Sequence, residues 1–158
     1  MTVRCFEKKD SLQVAKLFRN IVSNLEYYND LAKEHEIDRY SEKKIIEKIN
    51  DDPLSIIVAE SGNEIIGICF NRFDDYTIWL EWILTNENYR KKGISRRLVN
   101  FLEQTAIERN CHKIWCDCRT SNSISKSFLK SVGFEFIATI ENHWYKQDFI
   151  LLQKKIDV

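Results

Sequence analysis

Glycine and proline are scarce, with four and one respectively in 158 residues. The chain is therefore neither collagen-like nor a low-complexity linker, and each of these residues marks a particular turn. Net charge is absent: 24 Lys+Arg balance 24 Asp+Glu. Without a positive field, the usual reason to expect a nucleic-acid partner or an anionic membrane partner disappears. No apolar run reaches the ~18 residues of a spanning helix, and Glu81 interrupts the best stretch, Ile78 to Leu84. Met1 to Lys8 lack the apolar run of a signal peptide, so a soluble, cytoplasmic protein is expected. The five cysteines form an odd set, which does not suggest a fully paired disulfide framework. Cys111-His112 and Cys116-Asp117-Cys118 lack zinc-knuckle spacing, and a C-x-C within a strand turns both sulfurs to one face as small apolar side chains. No metal is expected.

What is present is an ordinary globular balance, 44% hydrophobic and 30% charged, long enough for one domain over 1–158. Val3 to Phe6 reads as a short strand. Asp10 or Ser11 can cap a helix with Leu12, Ala15, Phe18, Val22 and Leu25 inward. Residues 26–40 have no clean period and read as an irregular or weakly helical connection. Ser41 can cap a short helix with Ile45, Ile46 and Ile49 inward, ended by Asp51-Asp52-Pro53. Strands follow over 54–60, 64–73 and 76–85, the first two joined by the hairpin signal Ser61-Gly62-Asn63. The clearest helix begins after Gly93, with Ile94, Leu98, Phe101, Leu102, Thr105 and Ala106 inward. A strand over 113–118, a short helix over 122–132 with Ile124, Phe128 and Val132 on one side, and strands over 134–140 and 143–156 complete an α/β chain with a mixed sheet. The long final strand could pair with a second copy, which leaves a homodimer open.

Arg90-Lys91-Lys92-Gly93-Ile94-Ser95-Arg96-Arg97 lies between a strand and a helix. A helix start offers unsatisfied N–H groups and partial positive charge, so it suits an anion. Five cations in these eight residues are out of place where the helix dipole favours acids, unless a polyanion docks there. Gly93 permits close backbone approach and Ser95 is small enough not to block it. A solvated basic turn is the bland alternative.

These residues resemble the cofactor loop of the GNAT superfamily of acetyl-CoA-dependent N-acetyltransferases, Arg/Gln-x-x-Gly-x-Gly/Ala. Arg90-x-x-Gly93-x-Ser95 fits except that Ser95 replaces Gly/Ala. The family's second segment, Asn-x-x-Ala-x-x-Leu-Tyr-x-x-x-Gly-Phe, is matched at Asn122, Phe128, Gly133 and Phe134, with Ser125 for Ala and Leu129 for Tyr. The resemblance covers residues 3–156. It implies a central, mostly antiparallel sheet flanked by helices, which splays between strands 76–85 and 113–118 to admit the pantetheine arm. Backbone groups near Ile83, Leu84 and Thr85 would pair with the arm. The N–H groups of Lys91, Lys92, Gly93, Ile94, Ser95 and Arg96, with Arg90 beginning the motif, would cradle the pyrophosphate, and Arg96 or Arg97 could reach a further phosphate. Asn122 would bond the arm, with Lys126 and Phe128 towards the nucleotide or thioester side. The plainer role of Asn122 is a helix N-cap, and the two roles can coexist.

The implied reaction joins an acetyl group to an amine acceptor. Two carboxylates interrupt apolar strands: Glu81 in Ile78 to Leu84 and Asp117 in Ile114 to Cys118. Burial raises such a group towards the range of a useful base. Glu81 is placed first and Asp117 second, and either could instead be a paired surface carboxylate. The family often carries a Tyr at the position of Leu129 to protonate the departing sulfur; Tyr145 or Tyr89 could substitute. His35, within residues 26–40, could touch substrate, while His112 reads as the cap of a helix end. Tyr27, Tyr28, Tyr40, Trp79, Trp82 and Trp144 could line the acceptor pocket. Acidic residues of the 26–40 segment (Glu26, Asp30, Glu34, Glu36, Asp38) would favour a cationic acceptor. A CoA-binding sensor with little catalysis is the alternative that Leu129 keeps open.

Overall fold

The computed structural model describes residues 1–157; Val158, the end of the expected 1–158 domain, lies outside them. Seven strands form one sheet in the order β1-β2-β3-β4-β5-β7-β6. They are β1 (Thr2–Cys5), β2 (Ile56–Ser61), β3 (Glu64–Asp74), β4 (Thr77–Thr85), β5 (Lys113–Arg119), β6 (Glu135–Ile140) and β7 (Phe149–Lys155). Only β4 and β5 run parallel; every other neighbouring pair is antiparallel. The helices are α1 (Ser11–Ser23), α2 (Asp30–Arg39), α3 (Glu42–Asp51), α4 (Ile94–Glu108) and α5 (Ser123–Ser131).

The central strands are buried on both faces, so their sequences are near-continuous apolar runs rather than alternating ones. In β2, Ile56 and Val58 join Val14, Phe18, Val22 and Ile45 beneath α1 and α3, while Ile57 and Ala59 face α4 with Leu98 and Leu102. Helix α4 lies so close to β3 that a Cβ on Gly67 would stand 2.8 Å from Ile94 Cγ2. That glycine fixes where the first turn of α4 sits.

Several expectations need correction. Residues 30–39 form α2, whose buried positions Ala32 and Glu36, followed by the C-cap Tyr40, recur at one helical face. Helix α1 buries Val14 and leaves Leu12 exposed. Helix α5 buries Leu129 and leaves Ile124 82% exposed, because the inward face is set by packing into the cluster of Leu102, Cys116 and Leu152 and not by the local apolar spacing. The stretch 143–148 is not strand: Trp144–Lys146 form a 3-10 turn in which Tyr145 has a left-handed φ of 55°. His112 follows the end of α4 and joins strands instead, donating its N–H to Tyr76 O and accepting from Ile156 N. The final strand β7 is flanked by β5 and β6, so its edges are already filled and it cannot recruit a second copy by strand pairing. Asp10 and Ser41 precede helices without a side-chain cap bond; Asp10 instead holds Arg4, at 2.7 Å.

Candidate active site

Strands β4 and β5 are paired at Thr77–Lys113, Ile78–Ile114 and Trp79–Trp115, and no further. The indoles of Trp79 and Trp115 meet edge to face at 4.7 Å where the pairing stops. Beyond that point β4 stays on β3 and β5 stays on β7, so the two strands part. The β4 edge that faces the gap is left with backbone groups β5 does not satisfy, which is where an added strand-like ligand can pair. A bulge accompanies the split. Phe70 faces Trp82 and Asn71 faces Leu80, so Glu81 is the extra residue without a partner on β3.

Two cavities border the gap. The smaller, about 120 Å³, is lined by Leu80 to Leu84, Cys116 to Arg119, Asn122, Phe128, Leu129 and the turn residues Leu25, Tyr27 and Tyr28. The larger, about 650 Å³, is walled by Trp79, Trp115, Trp144, Tyr40 and Tyr145 together with Glu36, Arg39 and Arg72. Tyr28, Glu81, Trp82, Asp117, Arg119 and Phe149 line both.

Asp117 sits between the two spaces on β5. Its Oδ2 accepts from Trp144 Nε1 at 3.2 Å. Burial pushes its carboxyl up to about 6, with the Trp144 hydrogen bond opposing. Glu81 is held differently: Lys48 Nζ lies 2.9 Å from its Oε2, and Tyr40 Oη donates to the same oxygen at 3.3 Å. Tyr145 donates its hydroxyl to Glu36 Oε1 at 3.2 Å, and burial together with that carboxylate raises its phenol. The His35 ring lies 6.0 Å from that of Tyr145.

The basic turn stands at the open end of the split. Gly93 caps α4 in the left-handed conformation, φ 74°, and Lys91 is also left-handed at 61°. No cap side chain reaches the helix start. Among the described residues, none of Arg90, Lys91, Lys92, Arg96 and Arg97 forms an ion pair, and the N–H groups of 91–96 have no hydrogen-bond partner. Helix start and surrounding cations therefore fit an anion. Ser95 Oγ lies 3.0 Å from Thr85 Oγ1, pinning the first turn of α4 to the end of β4. The Arg96 guanidinium donates to Ser131 O at 3.3 Å, so in this conformation it closes the end of α5.

Ile83, Leu84, Asn122 and Phe128 thus meet at the smaller cavity, whereas Lys126, on α5, lines neither space. Asn122 is the N-cap of α5, accepting from Ser125 N at 3.1 Å. Leu129 is buried, lines the smaller cavity and presents only methyl groups there, with no hydroxyl to give a proton. Of the acidic residues in 26–40, Glu36 alone is buried and lines the larger cavity. The sequence reading missed Arg119, a cation at the end of an otherwise apolar strand; the logic that marks Asp117 applies to it as well. Helical spacing of Ala32, Glu36 and Tyr40 would have marked the carboxylate of α2.

Comparison with known proteins agrees with this geometry. The model of the acetyltransferase (GNAT) family matches residues 22–134, more than half of the chain, and the chain belongs to that family. An acetyltransferase, SG1711, of Sodalis glossinidius (strain morsitans) is 28% identical over 135 residues, 85% of this chain and 87% of that protein. The PaiA N-acetyltransferase of Thermoplasma acidophilum, solved with coenzyme A, superposes with a TM-score of 0.81 at 18% identity, over 98% of each chain. A ribosomal-protein-alanine N-acetyltransferase of Brucella melitensis gives 0.80 at 22% identity, covering 99% of this chain and 100% of that one.

Proposed function

We propose that the chain is an acetyl-CoA-dependent N-acetyltransferase which moves the acetyl group to a primary amine by direct attack in a ternary complex. The observation that carries this reading is the position of Asp117, facing both cavities where β4 and β5 separate, with its carboxyl raised to about 6. Acetyl-CoA supplies the activated acyl group. Its diphosphate suits the unpartnered N–H groups of 91–96 and the unpaired cations around them, and its arm suits the gap lined by Ile83, Leu84, Asn122 and Phe128.

An alkylamine with a pKa of ~10.4 is neutral in only about one molecule in 2,500 at pH 7, so a base must take a proton. Asp117 is ionised above pH ~6 and is better matched to that task than a carboxylate at its ordinary value. Glu81, already engaged by Lys48 and Tyr40, is the second choice; this reverses the order expected from burial along the strands alone. On this reading the backbone N–H groups of β4 left unpaired past Trp79 orient and polarise the thioester carbonyl. Burial raises the thiols of Cys116 and Cys118, the latter to about 11, so both stay protonated at pH 7 and are poor nucleophiles. That supports direct attack over an acyl-enzyme. With Leu129 in place of the family's Tyr, departure of the sulfur as a thiolate costs roughly 2 kcal/mol at pH 7 for a thiol of pKa ~8.5. Tyr145 is the available hydroxyl on the acceptor side, protonated but shared with Glu36.

The aromatic lining of the larger cavity, with Glu36 and Asp117, suits the acceptor amine. The test is thiol release from acetyl-CoA across a panel of primary amines. Turnover that falls by roughly 10²–10⁴-fold in Asp117→Asn supports the reading, and coenzyme A binding without turnover on any amine contradicts it.

A further inference from the structure

Residues 24–29 join α1 to α2 without regular structure, and their aromatic side chains close one wall of the smaller cavity. Two groups at the β5–α5 junction hold this turn. Arg119 Nη1 donates to the Tyr27 carbonyl at 3.2 Å, and its Cζ stands 3.8 Å from the centroid of the Tyr28 ring. Asn122 Nδ2 donates to Tyr27 Oη at 3.1 Å. The amide that suits the pantetheine arm is therefore already engaged by a phenol of the chain itself. The cavity behind that phenol holds about 120 Å³, well short of the roughly 300–1,000 Å³ of small-molecule sites. Tyr27 lines that cavity and narrows it from the side of the α1–α2 turn.

Arg119 sharpens the point. It is only 3% exposed, makes no ion pair among the described residues, and leaves Nε and Nη2 without a hydrogen-bond partner. Buried N–H groups left unmade are costly. The fold tolerates that cost at the one side chain that lines both cavities and grips the turn.

We propose that Tyr27 gates the coenzyme A slot: its hydroxyl on Asn122 holds the turn 24–29 shut, Arg119 is the positioning residue that seats the turn, and the arm displaces the phenol on entry. This rests on the assignment of the gap to coenzyme A. Closed and open forms are then two populations, and apparent affinity falls by the fraction that is open. Removing one neutral hydrogen bond that favours the closed form shifts that balance by roughly two- to tenfold.

The test is calorimetric titration of the intact chain with coenzyme A, for the wild type and Tyr27→Phe, which removes only the hydroxyl. Tighter binding by the variant, two- to tenfold in Kd with a faster association rate, is the expected result. Equal or weaker binding overturns the gate while leaving the cofactor assignment standing. Binding by neither protein overturns both, and binding by the variant alone supports a gate held fully shut. Hydrogen exchange without ligand gives an independent reading. Amides of 24–29 should exchange faster in Tyr27→Phe with those of 94–108 unchanged, and equal exchange of 24–29 in the two proteins contradicts the proposal.

Discussion

In the proposed reaction Asp117 is the base, and its raised carboxyl gives two checks of opposite kind. As a base it must be ionised, so kcat/KM should fall as pH drops through about 6. Asp117→Asn should lose that limb and roughly 10²–10⁴-fold in kcat/KM, the usual worth of a positioned base. As a folded-state group it binds its proton more tightly than an unfolded carboxylate at 3.8, so folding stability should decline as pH rises from about 4 to about 6. The Asn variant should escape that decline, and thermal midpoints at the two ends of the window would show it. Glu81→Gln should leave the acid limb of the profile in place; its disappearance there would move the base to Glu81. The sequence showed both carboxylates as interruptions of apolar strands. It could not show that Lys48, from α3, takes one of them, because that pairing depends on how the helix packs across the sheet.

At the scale of elements, α4 joins fold to function. Gly67→Ala would drive a methyl into Ile94 and Leu98, at 2.8 and 3.2 Å. A destabilisation of about 1–3 kcal/mol is expected, read as a lower denaturant midpoint with unchanged m. Coenzyme A affinity should fall with it, since Ile94 starts the helix whose N–H groups are proposed to hold the diphosphate. Gly93→Ala differs in cause: nothing lies within 4 Å of the added Cβ, and the cost is the left-handed φ of 74°, about 1–2 kcal/mol. Helix α4 was legible because its apolar spacing is long and regular. Helix α2 was not, because its buried positions are few, Ala32, Glu36 and the C-cap Tyr40, and one of them is charged. In α5, Ile124 looked inward and is not, since nine residues are too few for local spacing to outweigh docking of Leu129 and Val132 into the core. The segment 143–148 looked like strand because His143-Trp144-Tyr145 is aromatic, yet those rings line the larger cavity instead.

For the whole molecule, a formal net charge of zero hides a local imbalance. Among the described residues the cations of 90–97 have no carboxylate partners, while Asp10, Glu60, Glu81 and Glu103 are each engaged elsewhere. Binding of coenzyme A should accordingly weaken as salt rises, although the protein as a whole carries no net field. The parted strands are the feature that sequence alone could imply only by resemblance. Pairing ends at Trp79 and Trp115 through a bulge at Glu81 and the bulk of two indoles, neither of which local periodicity encodes. A crystal structure of the chain with coenzyme A is the most direct measurement. The diphosphate should sit on the amides of 91–96, with the arm along β4 and the sulfur beside Asp117. A ligand bound elsewhere, or β4 and β5 zipped together past Trp79 and Trp115, would contradict the assignment.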